Sequence, residues 1–417
     1  MKNYDDKKNH YGVILLVLGI IFFIIIGIFI MKKSSDKYIP IFPTTQIHYT
    51  PTPYTPTPYT PTSKIKKENE NIGCTTLVKP EEVYSNGKFK GAYLKHFTFL
   101  PYLNDEGTVF GFKPLYICFM KDFDSEKISR TYKLSEIETV NVNGRVYDCV
   151  RSDRNTNNPY GIPNGFCILD PLERIFARNI FYTVKESIKK IVKERWQPFI
   201  KLSLIFMDDD PRFDGYTQRQ LEDESDIRIS FDPKNGCNSK IGTNSLLIEK
   251  TKRTMNFSWF DVGTVLHEFG HLLGFIHEHQ SPLTGGITND LWKEPQLLRY
   301  FKPHLLQLGI NPDKASDRVE RDKYLTTNIY SGKYTDRDVE GSDFDIYSIM
   351  LYSFPSNVFV GDRFPKGLRQ NSILSFNDVK TAAKMYPLYS GAPYFLPIPI
   401  DLEEIHRVYD AIYNVIS

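Results

Sequence analysis

Between Thr264 and His277 the chain reads TVLHEFGHLLGFIH, and no other stretch narrows its possible folds as much. His267 and His271 are four residues apart, so on a helix they stand one turn above the other and reach a common point, with Glu268 projecting slightly off that line. Gly274 tolerates the backbone angles of a sharp exit from a helix, which brings His277 round toward the pair. Three imidazoles beside a carboxylate are the donor set of a zinc site that keeps one position for water, with the carboxylate placed to take a proton. A closed structural zinc site favours Cys ligands and a fourth protein donor, and would leave Glu268 without a role. The bare His-Glu-x-x-His pattern also arises by chance; Gly274 and His277 at fixed offsets set this one apart. Glu278 and His279 follow directly and read as supporting or surface groups, with His279 an alternative third ligand.

HEFGHLLGFIHE resembles the zinc helix of the metzincin metallopeptidases, and Gly274-Phe275-Ile276-His277-Glu278 is most similar to the astacin-like branch. The resemblance implies one catalytic zinc ion on His267, His271 and His277, Glu268 as general base, and a methionine-containing turn beneath the metal. Phe344 to Tyr352, FDIYSIMLY, is similar to that turn. By this resemblance Met350 is the Met-turn methionine, and Tyr352 is the tyrosine that approaches the zinc and stabilises the transition state. Two positions depart from the family. His279-Gln280-Ser281-Pro282 stands where an Arg and then an Asp are usual, and Leu351 where a His is common. Neither removes a ligand.

The implied fold is α+β: a metzincin-like two-part catalytic domain over residues 172–388, with a mixed β-sheet and the zinc helix in one half and Met350 in a more irregular other half. The implied activity is that of a zinc metalloendopeptidase acting on protein or peptide substrates. The alternative from another class is a non-catalytic, membrane-tethered peptide-binding or structural protein, and the intact Glu268 weighs against it.

Ahead of this domain the chain is organised differently. After a short tail, residues 1–10, the stretch from Tyr11 to Met31 is apolar and uncharged. At about 1.5 Å per residue it is long enough for a hydrocarbon core of about 30 Å, which predicts a single-pass transmembrane helix in contact with the lipid bilayer. Bulky residues run straight into Lys32 and Lys33, unlike the small-residue end of a cleaved signal peptide. Lysines flank both sides equally, so charge sets no orientation; an extracellular or lumenal catalytic domain is the expectation. Residues 32–73 read as a stalk, in which YTPTPYTPTPYTP from Tyr49 to Pro61 favours extended polyproline geometry.

Residues 74–171 read as a small β-rich region or a pro-segment, with strands expected in Lys113–Met120 and in a hairpin that turns at Asn143-Gly144. In astacin-like enzymes a pro-segment Asp or Cys blocks the zinc, and Asp170 or one of the nearby cysteines is a nominee here with no choice between them, although an Asp just ahead of a helix is more often a cap. The five cysteines, 74, 118, 149, 167 and 237, lack a CxxC pair, and four lie in this N-terminal folded region, where one or two disulfides are possible in an oxidising compartment.

Within 172–388, Ile175 to Glu194 has the spacing of one long helix, Leu202–Phe206 and Asp226–Phe231 read as strands, and the second of these alternates with its polar side outward. Asp226–Phe231 is similar to the family strand along whose edge the peptide substrate lies. Asn256-Phe257-Ser258 is a glycosylation sequon. Asp261 or Thr264 is placed to cap the zinc helix, Leu291–Leu308 to form a helix broken at Pro303, Asp313–Asp336 to be turn-rich, and Ser375 or Asn377 to cap a closing helix that ends before Pro387. The C-terminal tail, 389–417, has the character of a short helix packing back. A formal charge of +2 over 417 residues, with no basic stripe, excludes nucleic acid as an expected partner.

Overall fold

The computed structural model describes residues 84–85, 88–89, 99, 101–103, 109–387 and 402–413, less 122, 153–159, 180, 283–285, 332–338 and 340–342. The expected tail, transmembrane helix and stalk over residues 1–73 lie outside them. Among the described residues no helix is long and apolar enough to cross a membrane.

Two short hairpins come first, β1 (Tyr84–Ser85) with β2 (Lys88–Phe89) and β3 (Pro101–Leu103) with β4 (Val109–Phe112). Strand β5 (Leu115–Phe119) then enters a mixed five-stranded sheet in the order β10-β5-β11-β13-β12. Its partners are β10 (Leu204–Phe206), β11 (Ile227–Ser230), β13 (Met255–Asn256) and β12 (Asn238–Ser239). All pairings are parallel except β12 on β13, so β12 is an antiparallel edge. The sheet therefore draws one inner strand from the stretch 74–171 and the rest from 172–388. A second, three-stranded sheet joins β7 (Ile137–Val142), β8 (Arg145–Arg151) and β9 (Phe166–Ile168). Its hairpin turns at Asn143 and Gly144, both at positive φ (52° and 84°), as the Asn-Gly pair foretold. Between these sheets β6 (Ser129–Arg130) runs parallel to β14 (Trp259–Phe260), directly before the histidine helix.

Several elements differ from the sequence reading for identifiable reasons. The long helix expected over Ile175–Glu194 is two helices, α1 (Pro171–Arg178) and α2 (Val184–Ile191), followed by a wider-wound turn, Val192–Trp196. Thr183 breaks the run because it forms a capping box with Glu186, supplying a new helix start that competes with continuation. Asp170 is the cap of α1, accepting from Leu172 N–H, and both its oxygens receive Arg195 at 2.8 Å. Its carboxylate is fully engaged there, and it is not a blocker of the histidine site.

Strand β11 is not an edge and does not alternate. Ile227, Arg228, Ile229 and Ser230 are all buried, as expected of a parallel strand covered on both faces. Arg228 is tolerated because its guanidinium donates to three carbonyls, those of Lys252, Ser225 and Ile248. The sequon is likewise internal. Asn256 is fully buried and its amide donates to the carbonyls of Asp232 and Gly236, so it is no glycan acceptor in the folded chain. Cys118, Cys149, Cys167 and Cys237 are buried free thiols, so none of the possible disulfides forms among them, and Cys74 lies outside the described residues.

After the short α3 (Gln218–Glu224), the histidine helix α4 (Val262–Leu273) is buried at all twelve positions. Burying each large apolar side chain such as Leu266 or Phe269 contributes about 1.5–3 kcal/mol, which makes this helix the axis of the main core. The lower half follows. Helix α5 (Glu294–Gln307) runs through Pro303 without ending, and α6 (Arg318–Asn328) occupies a stretch read as turns. Tyr324 and Leu325 of α6 are buried in a second core with Trp292, Leu297, Phe301 and Phe354, and that tertiary burial outweighs the weak local pattern. Helix α7 (Phe376–Met385), capped by Ser375, and α8 (Leu402–Tyr413) return to the first core.

Candidate metal centre and active site

Helix α4 starts where Asp261 accepts from Thr264 N–H at 2.7 Å, and a second carboxylate, Glu173, accepts Val262 N–H at 2.7 Å. It ends at Gly274, whose φ of 105° lies in the left-handed region. Phe275 N–H then turns back to the Gly270 carbonyl at 3.1 Å. This reversal carries His277 over the helix end and into reach of His271.

His267, His271 and His277 are buried and form one cluster, with candidate ligand atoms within 4.8 Å of one another. Nδ1 of His267 lies 2.8 Å from the Ile349 carbonyl and Nδ1 of His271 lies 2.9 Å from the Phe275 carbonyl. A carbonyl only accepts, so both Nδ1 atoms carry the proton and both Nε2 atoms present lone pairs. Nε2 of His267 is buried without a hydrogen-bond partner, and Nε2 of His271 and His277 face each other at 3.1 Å. Lone pairs converging in a dry site are what a cation stabilises, and the cluster fits a catalytic zinc ion. Burial pushes His267 down to about 4, which keeps its imidazole neutral as a ligand must be.

Glu268 is fully buried on α4, beside His267 in sequence. Tyr352 packs its ring 4.0 Å from that of His277 and 4.8 Å from that of His279. His279 itself is turned away from the cluster, its Nε2 3.0 Å from the Asn328 carbonyl. The structure therefore brings His277, and not His279, to the other two histidines. Glu278 joins the site to the turn below: its N–H donates to the Met350 carbonyl and its carboxylate accepts Asp345 N–H at 2.7 Å. Burial, with Asp378 and Asp345 nearby, pushes Glu278 up to about 8.

Met350 lies directly under the helix. A Cβ built on Gly270 would meet Met350 Sδ at 2.5 Å, so any larger residue here requires the Met350 side chain to move. Met350 belongs to the first core, whereas Leu351 and Tyr352 belong to the second, so the chain passes between the halves at this turn. Sequence reading missed what fixes it. Asp378 accepts from Ser348 Oγ–H and from Ile349 N–H, at 2.7 and 2.8 Å, and Ser375 Oγ–H donates to Asp345 at 2.6 Å. Only the cap pattern at Ser375 hinted at these residues; their second role needs the fold. Trp196, whose indole donates to the Leu266 carbonyl at 3.2 Å, also left no sequence signal.

Comparison with known proteins agrees with this geometry in part of the chain. Residues 173–282 match the family model Astacin, which describes a peptidase family. The match holds the three histidines and Glu268, while Met350 and Tyr352 fall beyond it. Zinc metalloproteinase dpy-31 of Haemonchus contortus is 26% identical over 169 residues, 38% of this chain and 26% of that protein. The protein of the same name from Teladorsagia circumcincta is also 26% identical over 169 residues, 38% of this chain and 23% of that one. The chain thus spans about a quarter of the length of these curated relatives. Among solved structures, one of myroilysin shares 27% identity, with coverage of 49% of this chain and 87% of that chain at a TM-score of 0.38. Residues 173–282, which carry the histidine helix and the strands that lead into it, are the part of this chain that is similar to the astacin peptidase family.

Proposed function

We propose that this protein is a membrane-anchored zinc endopeptidase that hydrolyses peptide bonds by direct attack of water. The observation that carries the reading is the convergence of His267, His271 and His277 on one buried point, with the lone pairs of His267 and His271 fixed by backbone carbonyls. When bound, zinc supplies Lewis acidity that polarises a peptide carbonyl and makes water a stronger acid. The three histidines hold the ion, and the Ile349 and Phe275 carbonyls orient two of the rings. Glu268 takes the proton from the attacking water and hands it to the leaving amine as the carbon–nitrogen bond breaks. The Tyr352 hydroxyl donates to the oxygen on which negative charge develops.

An extended substrate segment pairs with the antiparallel edge strand β12, at Asn238–Ser239, one of the two edges of the sheet. Such pairing recognises backbone, and unfolded or extended protein segments are its natural substrates. Residues 11–31 anchor the protein in a bilayer and the Thr/Pro/Tyr stalk holds the domain off its surface, on the extracellular or lumenal side.

The test uses the full chain in detergent: zinc content is measured, and cleavage of a mixed peptide library is compared between wild type and Glu268→Gln. One zinc per chain with cleavage lost in the variant is the expected result. Absence of zinc, or cleavage that survives Glu268→Gln, overturns the reading, and zinc without cleavage in the wild type favours the peptide-binding alternative. For the anchor, protection of the domain from added protease in sealed membranes is expected, with release by carbonate washing the contrary outcome.

A further inference from the structure

Helix α8 lies beyond the astacin-matched segment and beyond the domain expected from sequence, yet it reaches the metal centre through an unbroken line of contacts. Leu374 is fully buried, and both of its backbone groups meet tyrosines of α8. The Tyr409 hydroxyl donates to the Leu374 carbonyl at 2.9 Å, and Leu374 N–H donates to the Tyr413 hydroxyl at 3.2 Å. Tyr413 is held in turn by Arg195, whose guanidinium lies 5.6 Å from its ring centre, and Tyr409 meets the Tyr160 hydroxyl at 3.0 Å. His406 stacks on Phe376 at 3.7 Å, fixing α8 against the first turn of α7.

The next residue after Leu374 is the cap of α7. Ser375 N–H donates to Asp378 at 2.9 Å, and the same carboxylate oxygen takes Ile349 N–H at 2.8 Å. Ile349 then accepts His267 Nδ1 on its carbonyl. The line from tail to ligand is therefore Tyr409 and Tyr413, Leu374, Ser375 with Asp378, Ile349 and His267. Every residue along it is buried; Leu374, Ser375 and Tyr409 also line a cavity of about 280 Å³, whereas Asp378, Ile349 and His267 do not, so a group at that end that loses its partner must move to find another.

We propose that α8 is a positioning element of the metal centre: Tyr409 and Tyr413 clamp Leu374, and this sets the Asp378 carboxylate that holds Ile349 against His267. The inference rests on the zinc reading above. Tyr409 and Tyr413 bond Leu374 and none of the three histidines, and they act through the Ile349 carbonyl, which keeps the His267 ring and its tautomer in place.

The experiment uses the full chain, with Tyr409→Phe, Tyr413→Phe and the double variant, which keep the rings and remove the hydroxyls. Two properties are read besides activity: the zinc dissociation constant by competition with a chelating dye, and the visible absorption of the cobalt(II)-loaded protein. The double variant is expected to weaken zinc binding about tenfold, at the lower end for groups that support a ligand from outside, and to shift the cobalt bands. In an Asp378→Asn background the same two substitutions are expected to add little, because they act through that carboxylate. Val150→Ala, a core truncation in the separate β7-β8-β9 sheet, is expected to lower thermal stability and leave both metal properties alone.

A folded double variant with wild-type zinc affinity and cobalt bands overturns the proposal, and so does a Val150→Ala protein that shifts them equally. If the double variant does not fold, each single variant carries the same comparison. Failure of the wild type to bind either metal would instead overturn the zinc reading itself.

Discussion

Nδ1 of His267 bonds the backbone carbonyl of Ile349 at 2.8 Å across 82 positions of sequence, joining the zinc-type helix to the turn beneath it. The first sits in the segment that matches the astacin model and the second lies outside it, so the site is completed by a part of the chain that the match does not reach. This bond sets the tautomer of one of the three clustered histidines, and the Asp378 carboxylate accepts the N–H of the same Ile349.

Loss of the proposed base is the most direct test of the chemistry. Glu268→Gln keeps volume and removes proton affinity, and should lower kcat/KM by about 100- to 10,000-fold, the range general base catalysis contributes. Zinc stoichiometry should stay at the wild-type value, measured by atomic emission on the same sample.

The contact between Gly270 and Met350 predicts a steric penalty. Gly270→Ala places a Cβ 2.5 Å from Met350 Sδ and should cost about 1–3 kcal/mol in urea unfolding. Met350→Ala opens the space, so the cost of Gly270→Ala should fall in that background. Equal costs in both backgrounds would show that the methionine is not what excludes a side chain at 270.

Gly274 predicts a backbone penalty with a local consequence. At φ 105° an alanine is strained by roughly 1–2 kcal/mol, and the segment that delivers His277 follows directly. Gly274→Ala should weaken zinc binding more than it lowers unfolding stability, read by dye competition against the urea midpoint.

Glu173 carries a pH signature at the start of α4. Burial, with Asp261 close by, raises its carboxyl to about 8 from an ordinary 4.5. The folded chain thus keeps a proton that the unfolded chain releases. Its contribution to stability is complete below about 4.5 and is lost as pH rises through about 8. Glu173→Gln retains an oxygen for Val262 N–H and cannot ionise, so its urea midpoint should fall less between pH 5 and pH 9 than that of wild type. Parallel profiles would rule out Glu173 as the source.

Metal removal should act on stability as well as on activity. An ion that binds only the folded chain stabilises it by about 2.7 kcal/mol at a hundredfold excess over its dissociation constant. Chelation should therefore lower Tm, excess zinc should restore it, and His271→Ala should abolish the dependence in scanning calorimetry.

The site was legible in sequence where chemistry depends on near neighbours along the chain. The four-residue step from His267 to His271, the release at Gly274 and the Asn143-Gly144 turn follow from local geometry and stand in the structure, which also decides each pair of cap candidates, for Asp261 over Thr264 and for Ser375 over Asn377. Even His277 over His279 had a local cause, in the reversal that Gly274 permits.

What the sequence left undetermined depends on partners far away along the chain. Strand β11 reads as a half-exposed edge until β5 and β13 pair with both its sides, and the edges of the sheet then fall to Leu204–Phe206 and Asn238–Ser239. Asn256 reads as a sequon until the Asp232 and Gly236 carbonyls claim its amide. Arg228 looks like a surface residue because no local pattern announces the Ile248 and Lys252 carbonyls, which the fold brings to it from 20 and 24 residues away. Helix α6 forms in a charged stretch because Tyr324 and Leu325 find a core there. By itself the sequence determined which donors meet over one helix turn and where that helix ends. Only the tertiary structure decided what orients them, because Ile349, Asp378 and Leu374 act through buried hydrogen bonds whose partners lie dozens of residues away along the chain.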